Sequence, residues 1–340
     1  MLVSRKTSDK QKCDCRAIRT GISKLKEPSS SQHSGAETVI DVERLFNRIL
    51  EDYRENPVDL LGRGDGAGEY RYLLSLKQSN VRTVQDVLEY AKGRGPRHEM
   101  HILEIGPFLG VVSLVLAGLG FKVTVSEIKE YMDCLRLQRK FREANIEWAI
   151  CNLRDYRIPF RDAEFDVVIM CSTLEHLNFN PLPVIDEINR IMKPGGLLYL
   201  AVPNLARAPN RMKLLSGRSI LNPIRDYFAQ LDGKSNMIVG LHWREYTAAE
   251  IREMLENMDY AVVRQNYDLP DRRHAALGRF RQKVKKAVHC LINLPGIRPL
   301  IYNSLCDPDD QALNNTHITF AVKRQRSDKR FYFTDATRGN

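Results

Sequence analysis

From Thr38 the apolar positions keep a helical rhythm: Ile40, Val42, Leu45, Phe46, Ile49, Leu50 and Tyr53 recur at spacings of three and four until Asn56-Pro57 stops the run. An amphipathic helix is predicted there. After the glycine-rich break LGRGDGAGEY, a second helical stretch runs from about Tyr70 to Ala91 and ends at KGRGPRHE. From Met100 the texture changes to strand, turn, helix, repeated. MHILEIG (100–106) is a short apolar run that meets a turn, LGVVSLVLAGLG (109–120) reads as a buried helix, and KVTVSEI (122–128) as a strand ending on an acid. The alternation continues through helix Tyr131–Ala144, strands Trp148–Leu153 and Phe165–Ser172, helix Pro183–Met192, a KPGG turn and strand Leu197–Pro203. Helix Thr247–Met258 and strands Tyr260–Leu269 and His317–Lys323 complete the pattern. Seven strands with intervening helices predict an α/β protein with a Rossmann-like, doubly wound, seven-stranded sheet and a helical N-terminal extension.

Composition adds limits. With 340 residues, 43% hydrophobic and 28% charged, the chain can bury a sizeable core, and 20 Gly with 15 Pro excludes collagen-like or wholly low-complexity readings. The most apolar stretch, Val111–Val125, is interrupted by Lys122, so no membrane-spanning helix is predicted. The opening residues MLVSRKTSDKQK have no apolar core of a signal peptide, and the expected compartment is the cytoplasm. Seven scattered cysteines form no even framework and read as reduced thiols.

The net charge of +10 is unevenly spread: residues 1–38 carry +4, 271–300 carry +7, 301–340 carry +1, and 39–270 carry −2. Because the basic character belongs to appendages, no nucleic-acid partner is expected. The predicted organisation is a disordered basic tail over 1–37, a helical extension over 38–98 and a catalytic domain over 99–325, followed by a C-terminal tail over 326–340.

Candidate chemistry gathers where the first strand hands over to a helix. Glycines there let the backbone approach a cofactor, and an acid closing the next strand can accept hydrogen bonds from a ribose. Those pieces are Glu104, Gly106, Gly110 and Glu127. A dinucleotide site requires GxGxxG, but the segment reads Gly106-Pro107-Phe108-Leu109-Gly110-Val111-Val112, with Phe108 and Val111 where glycines belong. A ligand without phosphates is expected, with Glu104 available to an ammonium group.

Here the sequence resembles the class I S-adenosylmethionine-dependent methyltransferases. LEIGPFLG resembles the family's first motif, departing from it at Phe108, and VSEI the second. CNLRDYRIPFRDAEFDVVIMCSTLEHL resembles the third and fourth, INRIMKPGGLLYLAVPN the turn and fifth strand, and LHWREYTAAEIREMLENMDYAV the segment before the sixth strand. The resemblance covers roughly Met100–Leu269 plus the last strand, which it implies is antiparallel. It implies S-adenosylmethionine as cofactor, with Glu104 near the methionine ammonium, Gly106 and Gly110 lining its turn, Glu127 on the ribose, and Asn152 with Leu153 beside the adenine. Asn152 stands where an Asp is common, so Asp155 competes for the adenine contact.

His176, just beyond the fourth strand, is the candidate general base, set against a histidine that only packs or hydrogen-bonds. In the ubiquinone-pathway and small-RNA methyltransferases that the chain partly resembles, an acid-His pair and a later histidine hold a divalent cation. Glu175, His176 and His242 match that pattern, while Ser172 stands where those enzymes have another acid, and no metal is expected.

Residues 205–246, with several arginines, Tyr227 and Trp243, are read as an acceptor-side lid, and 271–314 as a basic insertion. Within it, Leu277, Phe280, Val284, Val288 and Leu291 recur at helical spacing among Arg and Lys. Two readings of 271–300 stay open: attachment to an anionic membrane surface, or packing on the domain with a solvated basic face. The expected function is O-methylation of a small-molecule, saccharide or lipid-linked acceptor. The alternatives are a protein or nucleic-acid methyltransferase, for which CSTLEH replaces the expected Asn-Pro-Pro-Tyr-like element, and a catalytically silent cofactor-binding scaffold.

Overall fold

The computed structural model describes residues 35–60, 62, 64–231, 240–268 and 316–324. The tail over 1–34, the basic insertion over 271–314 and the segment 326–340 lie outside the described residues. By its internal contacts the chain divides between Asp41 and Val42. Of the first unit, the described part is the opening of helix α1 (Gly35–Glu55); everything below concerns Val42 onward.

Helix α2 (Ala67–Ala91) follows, and then the alternating pattern begins with β1 (His101–Ile105), α3 (Val111–Gly118) and β2 (Lys122–Glu127). Helices α4 (Lys129–Met132) and α5 (Leu135–Glu143) lead to β3 (Glu147–Ile150). Next come β4 (Phe165–Cys171), α6 (Leu182–Ile191) and β5 (Met192–Pro203). Two further helices, α7 (Ala208–Leu215) and α8 (Ile224–Leu231), precede α9 (Ala248–Asn257), β6 (Tyr260–Asp268) and β7 (Thr316–Lys323).

The strand order is β3-β2-β1-β4-β5-β7-β6. The β1, β2, β3, β4 and β5 pairings are all parallel, and β7 runs antiparallel to both β5 and β6. The predicted fold is therefore the observed one. Alternate residues of each central strand serve opposite cores: Ile102, Val167, Ile169 and Tyr199 face α1, α2 and α3, whereas Leu103, Ile105, Val168 and Leu200 face α6 and α9. Glu104, one residue from Leu103, thus projects to the α3 side, where it meets Ser113.

Two local expectations need correction. The helix predicted over Tyr131–Ala144 is broken: Cys134 adopts an extended conformation and caps α5. The break turns Leu137 and Phe141, one helical turn apart, into the core. The strand predicted from Leu197 starts at Met192, because Phe165 pairs with Met192 and Val167 with Leu197, so that Lys193–Gly196 bulges out of register.

Helix α2 is pinned to the sheet through its C-terminal half. The Tyr90 hydroxyl donates to the Gly195 carbonyl at 2.8 Å. Buried Asp86 accepts from Arg82 Nε at 2.9 Å, Arg264 Nη2 at 3.1 Å and the Tyr199 hydroxyl at 3.2 Å. This carboxylate joins α2 to the central strand β5 and the edge strand β6. Removing it strands a buried hydroxyl and two cations, so Asp86→Ala should destabilise the protein by about 2–4 kcal/mol, and Tyr199→Phe by about 1 kcal/mol. Urea unfolding midpoints measure both; equal, negligible shifts would show that α2 docks without this clamp.

Candidate functional site

The sheet order reverses between β1 and β4, whose carboxyl ends diverge to opposite sides, and this is where open α/β sheets bind ligands. A cavity of about 500 Å³ opens there. Its floor is the β1–α3 loop. Gly106 (φ 69°) and Gly110 (φ 67°) are both left-handed, and a Cβ on either would collide, with Thr173 Oγ1 and with the Phe141 ring respectively. The loop can therefore lie against the end of β4 and against α5 only with glycines at these two positions.

Phe108 is also left-handed, at φ 55°, although it carries a side chain. Its ring is held edge-on by Tyr72 at 5.4 Å and by Tyr131 at 6.2 Å. Its amide donates to Glu127 Oε2 at 3.2 Å. The Tyr53 hydroxyl donates to the next carbonyl, that of Leu109, at 2.5 Å. The departure from the glycine motif is thus the point at which both N-terminal helices grip the loop.

Two carboxylates are buried beside this loop. Glu104 Oε2 accepts from the Ser113 amide at 3.1 Å and from the Ser113 hydroxyl. Glu127 Oε1 accepts from the Ile128 amide at 2.7 Å. Burial pushes both carboxyl groups up to about 7, against the opposing pull of these hydrogen bonds. Both groups line the cavity. Further along, Ile150 is 52% exposed although apolar, and with Ile128 and Leu153 it gives a flat base an apolar slot. Asn152 also lines the cavity, and its side-chain oxygen caps the short turn Leu153–Asp155 by accepting from the Arg154 amide at 3.1 Å. Of the two candidates for the adenine contact, Asn152 lines the cavity and Asp155 does not.

At the opposite end lies His176. Its Nδ1 is 3.1 Å from the Leu241 carbonyl, which can only accept, so the proton sits on Nδ1 and the Nε2 lone pair is free. Burial pushes the imidazole down to about 4, well below the neutral range expected for a base read from the sequence alone. His242 stacks edge-on at 5.0 Å, and its Nδ1 donates to Glu245 Oε1 at 3.2 Å, which raises its pKa. Glu175 is fully buried, neither of its carboxylate oxygens has a hydrogen-bond partner among the described residues, and burial pushes it up to about 7. One ligand atom each from Glu175, His176 and His242 lie within 4.8 Å of one another. The structure thus brings together three residues separated by up to 67 positions, as the sequence motif implied.

Residues 103–200 match the protein family described as a methyltransferase domain. Over these residues the chain carries a class I S-adenosylmethionine-dependent methyltransferase domain. A ubiquinone biosynthesis O-methyltransferase of Xylella fastidiosa is 26% identical over 165 residues, 47% of this chain and 63% of that protein. A probable S-adenosylmethionine-dependent methyltransferase of Mycolicibacterium smegmatis is 31% identical over 106 residues, 31% of this chain and 32% of that protein. The chain thus matches less than two thirds of the length of either relative. Among solved structures, a SAM-dependent methyltransferase from Archaeoglobus fulgidus is similar at 14% identity with a TM-score of 0.46, covering 75% of this chain and all of that one.

S-adenosylmethionine is the cofactor of this methyltransferase family, and the cavity fits it. The glycine turn leaves room that a Cβ would fill, and two buried carboxylates, Glu104 and Glu127, line the same cavity. Residues that the sequence reading missed form the wall facing β4: Tyr72, Leu76, Ser79 and Asn80, all from α2. Their helical spacing of four, three and one would have put them on one face, but nothing in the sequence aligned that face with the end of the sheet.

A carboxylate at about 7 binds a cation or hydroxyl donors better when ionised, so binding should draw protons off. For each carboxylate that binding pulls down by two or more units, affinity for S-adenosylhomocysteine should rise about tenfold between pH 6 and pH 8. Proton release should appear as buffer-dependent heats in calorimetry. Glu127→Gln should weaken binding and remove its share of the pH dependence. A pH-independent wild-type affinity would show that neither group changes its protonation on binding. In the free protein the sign is opposite: both carboxyls are raised, so their contribution to stability is complete below about pH 4 and is lost as pH rises through 7.

Proposed function

We propose that the protein transfers the S-adenosylmethionine methyl group to an oxygen of a small-molecule, saccharide or lipid-linked acceptor. The observation that carries this reading is a single cavity running from Glu104 and Glu127 to His176. When bound, the cofactor supplies a methyl group already activated on a sulfonium. The chain has to hold it, align an acceptor lone pair with the S–C bond, exclude water and take up the acceptor's proton. In this reading Glu104 receives the ammonium, Glu127 the ribose hydroxyls, and Asn152 and Leu153 the adenine, with Gly106 and Gly110 giving the loop its close approach. His176 Nε2 accepts the acceptor's proton. An imidazole lowered to about 4 is a weak base, but the acceptor O–H becomes strongly acidic as its oxygen bonds carbon, so transfer concerted with C–O bond formation needs no stronger one. Glu175, 4.0 Å from Nε2, offsets the charge that develops on the ring.

The unpartnered Glu175 carboxylate favours a second reading, in which Glu175, His176 and His242 hold a divalent cation. Both histidines donate Nδ1–H to an oxygen acceptor and turn Nε2 away from it, the orientation that metal-binding histidines need. One carboxylate with two imidazoles suits a zinc-, iron- or manganese-type ion better than magnesium. The cation would then polarise the acceptor oxygen, and His176 would be a ligand.

Labelled methyl transfer into acceptor extracts distinguishes the readings. His176→Ala should lower turnover by about 10²-fold while S-adenosylhomocysteine affinity stays close to wild type. Equal losses in both would make His176 structural. Activity that survives dialysis against chelator supports the base; activity lost there and restored by manganese or zinc transfers His176 to the cation.

A further inference from the structure

We infer that the lid helices α7 and α8 form a docking surface for an anionic lipid bilayer, beside the mouth of the acceptor cavity. Among the described residues twelve large apolar side chains are exposed, and six of them fall within 212–228: Met212, Leu214, Leu215, Leu221, Ile224 and Phe228. Their exposure is high, 82% for Leu215 and 71% for Ile224. Met212 and Leu215 lie three residues apart on α7, and Ile224 and Phe228 four apart on α8, so each helix presents an apolar pair on one face. Clustered apolar exposure of this kind marks an interaction site rather than the scatter usual on a soluble surface.

Charge selects the occupant. Between 211 and 228 the chain has Arg211, Lys213, Arg218 and Arg225 and one acid, Asp226, whereas the stretch 39–270 as a whole is slightly acidic. The acid is engaged, with Arg225 Nε 3.7 Å from its carboxylate and Asn222 donating to it at 3.5 Å. Arg218 and Arg225 are exposed beside the apolar side chains. Apolar groups ringed by cations match the boundary between acyl chains and phosphate headgroups. A second copy of the same face would bring like charges together.

The position gives the surface a purpose. Tyr227 of α8 stacks edge-on against Trp243 at 5.4 Å, and Trp243 lines the cavity that also contains His176. The base of α7 is fixed from inside, where Asn210 Nδ2 donates to buried Glu245 at 2.8 Å, and Glu245 accepts from His242. An acceptor with a lipid tail could enter the cavity past Trp243 without leaving the bilayer. That last step rests on the proposed methyl transfer; docking itself does not.

Flotation of the full chain with phosphatidylcholine vesicles, with and without phosphatidylglycerol, tests the surface. Binding is expected to the anionic vesicles alone, lost at high salt, and reduced at least about tenfold by Leu215→Glu or Ile224→Glu. Both variants should bind S-adenosylhomocysteine as wild type does, which separates failure of docking from failure of the cofactor site. Phe280→Glu, in the basic segment over 271–300, should leave flotation unchanged. The inference is overturned by absence of vesicle binding, by binding lost with Phe280→Glu but kept in the lid variants, or by a dimer in sedimentation velocity that Leu215→Glu dissociates.

Discussion

Two carboxylates at the carboxyl ends of adjacent parallel strands are held out of water with no cation paired to them among the described residues, and much of the architecture around the cavity follows from that constraint. Glu104 ends on the α3 side of β1 and takes its hydrogen bonds from Ser113 in the first turn of that helix; Glu127 takes its own from the backbone of Phe108 and Ile128. These bonds only partly offset burial, so both groups stay raised to about 7. Perturbed acids of this kind in a cleft mark a candidate binding site. The glycine loop has to approach both at once, which is why two left-handed glycines fit where any Cβ would strike Thr173 or Phe141.

The loop is stabilised from outside the domain that the family match covers. Helices α1 and α2 reach it through Tyr53 and Tyr72, and α2 is fixed to the sheet by Asp86 and Tyr90. In this arrangement Phe108 costs some backbone strain, and its ring gains an aromatic cage between Tyr72 and Tyr131. The N-terminal helices therefore support the glycine loop, and α2 also forms one wall of the cavity, with residues far from the methyltransferase motifs.

The acceptor end follows a different physical logic. Segment 241–246 runs beside the end of β5, tied by the Asn204–Tyr246 bridge and by the Trp243 amide donating to the Glu175 carbonyl at 2.8 Å. It carries His242 and Glu245 into contact with His176 and with α7. Helices α7 and α8, the histidine pair and the buried acid are consequently linked by direct contacts.

Periodicity in the sequence was enough to determine the seven strands, their order of appearance and the two N-terminal helices, because the alternation of apolar residues is imposed locally by the geometry of each element. The motif residues Glu104, Gly106, Gly110, Glu127 and His176 were legible for the same reason: they sit at the ends of short apolar runs. What the sequence could not supply depends on neighbours distant in the chain. The break before α5 follows from burying Leu137 and Phe141, and the wall of Tyr72, Leu76 and Asn80 from the docking of α2. The fall of His176 to about 4 and the rise of Glu175 to about 7 are effects of desolvation, which exists only once the chain has closed around them. A residue's identity sets its ordinary chemistry; its burial, decided by tertiary packing, sets the chemistry it has in this protein.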